Sequence, residues 1–148
     1  MKRGDCMYTA LEVAKYIINK CIELNRPISN LQLQKILYYV QGEYMKKNNG
    51  QALFNDDIEA WQYGPVVPNV YYKFNIFSSG KIDTQQTMNE PIRKDDYKDI
   101  DSIIECKSKL SPWELVKSTH SELPWKKNYE LGKNCLISKE DLKTFFMN

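Results

Sequence analysis

Three times in 148 residues a Ser or Thr is followed three positions later by Glu or Gln at the head of a run with apolar residues at helical spacing: Thr9/Glu12, Ser29/Gln32 and Ser111/Glu114. In such a capping box the two side chains reciprocally satisfy backbone N–H groups that the first helical turn leaves without partners, so each box marks a helix start. Behind the first, Ala10, Val13, Ala14, Ile17, Ile18, Cys21 and Leu24 form one broad apolar face, which predicts a helix from Ala10 to Asn25. Arg26-Pro27-Ile28-Ser29 breaks the chain. Behind the second box, Leu33, Ile36, Leu37, Val40 and Tyr44 make an apolar stripe that ends at Lys46-Lys47-Asn48-Asn49-Gly50.

Later helices follow from weaker signals of the same kind. Pro68 suits the first turn of a short helix, and Asp95, Asp96 and Asp99 favour a helix start ahead of inward-facing Tyr97, Ile100, Ile103 and Ile104. Ser111-Pro112-Trp113-Glu114 opens a helix to about Thr119, and Ser138 a last one bearing Leu142, Phe145 and Phe146. Alternation over Ile58–Gln62 predicts a short strand, and Gly64-Pro65 with Val67 before Pro68 predicts a stiff loop from Tyr63 to Val67. The polar stretch Ser78–Glu90 reads as a surface turn, with a hairpin of short strands as an even alternative. The expected fold is mainly α, or α+β with a minor short-stranded element. It is a single compact multi-helix domain over residues 1–148 without repeats or linkers.

Composition excludes several function classes. No apolar run approaches the length of a membrane span, and Met1 to Tyr8 holds no signal-peptide stretch, so a cytoplasmic location is expected. Cys6, Cys21, Cys106 and Cys135 form no C-x-x-C pair and are expected as free thiols. The lone His120 has no ligand-spaced partner, so no metal is expected. At a helix end it is expected to meet the last carbonyls. No phosphate-cradling glycine loop occurs, so no cofactor is expected either. Asp56-Asp57, Asp95-Asp96 and Glu140-Asp141 read as loop or helix-start carboxylates rather than an acid/base pair. Nothing marks an enzyme.

Two surfaces remain for partners. The first two helices resemble a helix-turn-helix in outline, with Gln32, Gln34, Lys35 and Gln41 as base-reading candidates. Against it stand eighteen lysines to three arginines and a net charge of only +2, so nucleic acid is a disfavoured partner. The second is aromatic. Tyr38, Tyr39, Tyr44, Tyr63, Tyr71 and Tyr72 join Trp61, Phe54, Phe74 and Phe77 within forty residues. Adjacent tyrosines cannot share a helix face, so at least one of Tyr38/Tyr39 and of Tyr71/Tyr72 is expected outside, and by surface geometry Tyr39, Tyr44 and Tyr72 are the candidates for protein contact.

The block Leu31-Gln32-Leu33-Gln34-Lys35-Ile36-Leu37-Tyr38-Tyr39-Val40-Gln41-Gly42, the block Ile58-Glu59-Ala60-Trp61-Gln62-Tyr63-Gly64-Pro65-Val66-Val67-Pro68 with Tyr71, and His120 followed by Pro124-Trp125 carry a resemblance. Together they resemble the Panacea domain of SocA-like antitoxins, also found in GepA-type phage-associated proteins. The likeness runs from residue 8 to 146. It implies an antitoxin that neutralises a toxin protein, usually encoded beside it, by direct binding, with some members delivering the toxin to a host protease. Two alternatives stay open: a mobile-element protein that inhibits a host defence protein, and a DNA-binding autoregulator. Gln34, Lys35, Tyr38, Gln41, Gly42, Trp61, Tyr63, Gly64, Pro65, Val67, Pro68, Tyr71, His120 and Trp125 match the family motif, and most are expected to hold the fold, with Trp61 in the core. Tyr39, Tyr44, Tyr72 and the Ser78–Glu90 segment are left for partner recognition.

Overall fold

The structure is a computed structural model that describes residues 8–148; the expectations for Cys6 and for the leader reading of residues 1–7 lie outside it. All three capping boxes form with both reciprocal hydrogen bonds, and they open α1 (Ala10–Glu23), α2 (Asn30–Lys47) and α5 (Pro112–His120). Between them lie a hairpin of β1 (Ile58–Trp61) and β2 (Gly64–Val66), then α3 (Pro68–Phe74) and α4 (Lys94–Lys107). After α5 come α6 (Leu123–Leu131), β3 (Cys135–Ile137) and α7 (Lys139–Phe146). The sheet order is β2-β1-β3, antiparallel throughout, with Glu59 opposite Val66 and Leu136. The fold is thus mainly α with a small sheet.

Everything is arranged around α2. Helices α1, α3, α4, α5 and α7 and strand β2 all pack on it, and 14 of its 18 residues are buried. This corrects the single apolar stripe read from the sequence. Leu33, Ile36, Leu37 and Val40 do face apolar neighbours, each such burial contributing roughly 1.5–3 kcal/mol. The remaining faces carry Gln32, Gln34, Lys35 and Gln41, which are buried too and hydrogen-bonded to backbone of other segments.

Two further readings change. Gly64–Val66 is a strand rather than a loop, because Trp61 pairs with Gly64 across a two-residue turn. Ser78–Glu90 forms no hairpin. The Ile82 N–H instead donates to the Ile28 carbonyl at 2.7 Å, and Asn19 holds Gln86 through both backbone groups, which lays the segment over α1 and the start of α2. Helix α6 and strand β3 had no expectation. Leu123 and Leu131 at the ends of α6 point to solvent, Leu131 at 72% exposure, so no apolar stripe announces the helix.

Candidate functional site

The motif residues of α2 converge on the β1–β2 hairpin. The Gln34 side-chain oxygen accepts from the Val67 N–H at 2.9 Å, while its amide donates to Asn30, whose own amide donates to the Tyr71 carbonyl. One residue on, the Lys35 ammonium reaches the Pro65 carbonyl at 3.1 Å from a fully buried position, and desolvation pulls its pKa down to about 7. Gly64 sits at φ +113°, and a Cβ there would lie 2.7 Å from Lys35 Cε and 2.8 Å from Thr119 Oγ1. Only glycine fits both the backbone and the space. Val67, buried, and Pro68 lead into α3. Gln41 clamps the chain below the hairpin, accepting from the Leu53 and Phe54 N–H groups and donating to the Phe54 carbonyl. A side chain at Gly42 would overlap the Phe146 ring.

Tyr38 and Tyr39 point across the core to one carboxylate. Their hydroxyls donate to Glu122 at 2.9 and 2.8 Å, burial pushes that carboxyl above the usual range, and the Lys107 ammonium lies 4.0 Å over the Tyr39 ring. Tyr44 is buried as well and donates to Asp96 at 3.3 Å. Tyr39 and Tyr44 are therefore corrected as exposed partner-binding candidates. The adjacency rule presumes a helix with a solvent face, and α2 has next to none. Tyr72 is exposed at 64%.

Outside the hairpin the remaining motif aromatics meet. Trp61 is half-buried on the outer sheet face, not in the core: Ile58 and Ala60 take the inward positions of β1. Its indole N–H donates to Glu59, and its ring meets Tyr71 at 5.0 Å and Tyr72 at 6.2 Å. Trp125 donates its N–H to the Trp61 carbonyl at 2.7 Å, and His120 donates from Nε2 to the Gln62 carbonyl at 3.1 Å. His120 thus bonds the hairpin turn rather than the end of its own helix. Its imidazole stacks on Trp125 at 3.8 Å, which stacks on Tyr129 at 4.6 Å. Desolvation holds its pKa below the ordinary histidine value. Facing the stack, Tyr63 at the turn meets Trp113 of α5 edge-on at 5.7 Å. Together with Gln62, Val116 and Lys117 these rings line an open groove of about 610 Å³.

Sequence reading missed Trp113 and Tyr129. The available signal was spacing: Trp113, Lys117 and His120 share one face of α5, away from buried Leu115 and Thr119. The acidic pairs are engaged locally. Asp56 accepts from the Ala10 N–H and Asn69, Asp96 from Tyr8 and Tyr44, and Asp141 from Lys127 and Asn128. Among the described residues no group of His, Cys, Asp and Glu could hold a metal, and no helix is long and apolar enough to cross a membrane. Cys21, Cys106 and Cys135 are free thiols. The helix-turn-helix reading fails on geometry, since Gln32, Gln34, Lys35 and Gln41 are buried and bonded within the chain and could not reach a base edge.

The family model described as "Antitoxin SocA-like, Panacea domain" matches residues 33–126. That span takes in most of α2, the hairpin, α3, α4, α5 and the start of α6. Antitoxin SocA of Caulobacter vibrioides (strain NA1000 / CB15N) is 31% identical over 128 residues, covering 78% of this chain and 68% of that protein. No solved structure matches the chain.

Proposed function

Because this chain belongs to the SocA-like antitoxin family that carries the Panacea domain, its role is that of a regulatory antitoxin rather than an enzyme, and we propose that it neutralises one cognate toxin protein in the cytoplasm by direct contact. The contact runs through the aromatic face around the hairpin. One observation carries this reading: Tyr63, Tyr72 and Trp113 stand 48%, 64% and 63% exposed, each packed edge-on or tilted against a motif or neighbouring ring. Large rings held rigidly in water lose little entropy on contact and supply much area, which is how interface anchors work. The buried motif residues Gln34, Lys35, Gln41, Gly42 and Gly64 act beneath that face as its support.

The test is co-expression with the toxin encoded beside the gene. Wild type restores growth. Tyr72→Ala and Trp113→Ala lose rescue and binding while thermal unfolding stays within about 0.5 kcal/mol of wild type, the usual range for exposed positions. Full rescue by the double variant would place the contact elsewhere on the molecule.

A further inference from the structure

We infer that the groove between the Tyr63–Trp113 pair and the His120–Trp125–Tyr129 stack takes an acidic, apolar segment of the toxin. One large apolar side chain lies between the rings, with an aspartate or glutamate beside it on Lys117. The inference rests on the antitoxin reading above and adds the chemistry of what that face recognises.

The shape of the groove is fixed before any partner arrives. Trp125 is held by its N–H on the Trp61 carbonyl and by a ring on each side, His120 by its bond to Gln62, and Val116 closes the floor from a buried position. Such a cleft accepts an apolar side chain with little rearrangement.

Charge then selects the occupant. Lys117 is the one fully charged side chain in the lining, it is exposed, and among the described residues it makes no hydrogen bond or ion pair. Lys126, beside Trp125, is likewise exposed and without an ion pair among the described residues. Among the described residues no carboxylate lines the groove. Glu114, on the same helix as Lys117, accepts the Ser111 N–H at 2.9 Å as part of the cap. A basic segment seated here would bring like charges together. A wholly uncharged one would cover the Lys117 ammonium without giving it a partner. A segment with a carboxylate next to its apolar anchor meets both demands.

The experiment measures binding of the full chain to the toxin encoded beside its gene, at low and at high salt, for wild type, Trp113→Ala, Lys117→Gln and Lys117→Glu. Both substituted side chains, Trp113 and Lys117, stand in solvent, and each variant is first checked for an unchanged melting curve. Trp113→Ala is expected to weaken binding about tenfold or more at both salt concentrations. Lys117→Glu is expected to weaken it about tenfold at low salt and much less at high salt, with Lys117→Gln between, because salt screens an exposed pair. Tighter binding by Lys117→Glu would mean a basic occupant and overturn the inference. So would binding that is indifferent to both positions, or self-association of wild type that Trp113→Ala abolishes, which would make the occupant a second copy. A wild-type chain that does not bind the toxin at all removes the antitoxin-by-contact reading itself, a result that no comparison of variants could mimic.

Discussion

Lys35→Met is expected to stabilise the protein in mild acid and to destabilise it in mild alkali. A lysine amine in water holds its proton to about pH 10.5, and burial brings Lys35 down to about 7. Between those values the unfolded chain carries a proton that the folded chain lacks, so stability contributed by this group rises with pH across that window. At about 1.4 kcal/mol per pH unit, the displacement from 10.5 to about 7 corresponds to a penalty of about 5 kcal/mol that is complete below pH 7 and mostly relieved by pH 10. Methionine removes that penalty and fills a similar volume. It also removes the donor to the Pro65 carbonyl, and a buried carbonyl left alone costs about 1–3 kcal/mol.

The difference between variant and wild type should therefore change sign: about 2–4 kcal/mol in favour of methionine near pH 6, and about 1 kcal/mol against it near pH 10. Urea unfolding followed by circular dichroism at several pH values reads this directly. The buried tyrosines and Cys21, whose thiol burial pushes up to about 11, titrate equally in both proteins and cancel in the difference. A difference that stays flat from pH 6 to pH 10 would refute the assignment of a neutral, buried amine to Lys35.

Two further outcomes follow from the core around α2. Gly42→Ala should cost about 1–3 kcal/mol in thermal unfolding by driving a methyl into the Phe146 ring, and Phe146→Leu in the same chain should recover part of it. Glu122→Gln should flatten the acid side of the stability profile. The raised pKa of Glu122 makes its contribution complete at low pH and lost as pH rises through the folded value, so glutamine leaves a curve without that fall; an unchanged curve would mean that the carboxylate is not buried against Tyr38 and Tyr39.

What could be read in the sequence was what is encoded locally. The capping boxes at Thr9, Ser29 and Ser111 need only residues three apart, and all three helices begin where those boxes place them. The burial of Tyr39 and Tyr44 is encoded elsewhere, in α4, α5 and α7 closing over the faces of α2 that its polar residues seemed to leave open. Gln34, Lys35 and Gln41 look like a solvated or base-reading face because glutamine and lysine are rarely buried. Their partners are the backbone of Val67, Pro65 and Leu53–Phe54, distant segments that no periodicity connects to α2. Strand β3 and helix α6 escaped for the opposite reason: each leaves apolar residues in water, Leu136 on one and Leu123 and Leu131 on the other, so their patterns are blurred.

The hairpin is the joint between that core and the aromatic face. Three of its carbonyls each receive a side-chain donor from a different helix: Pro65 from Lys35 of α2, Gln62 from His120 of α5, and Trp61 from Trp125 of α6. The rings that line the groove are therefore registered against the core through the backbone of four or five residues, and Gly64 lets α2 and α5 approach that backbone from beneath. It follows that a substitution at Gly64 can weaken partner binding without touching the partner, by releasing the turn that orients Tyr63, His120 and Trp125. Such a loss should track with lowered stability and with faster exchange of the hairpin amides. A loss at Trp113 or Tyr72 should leave both unchanged, and that difference separates the support from the surface it presents.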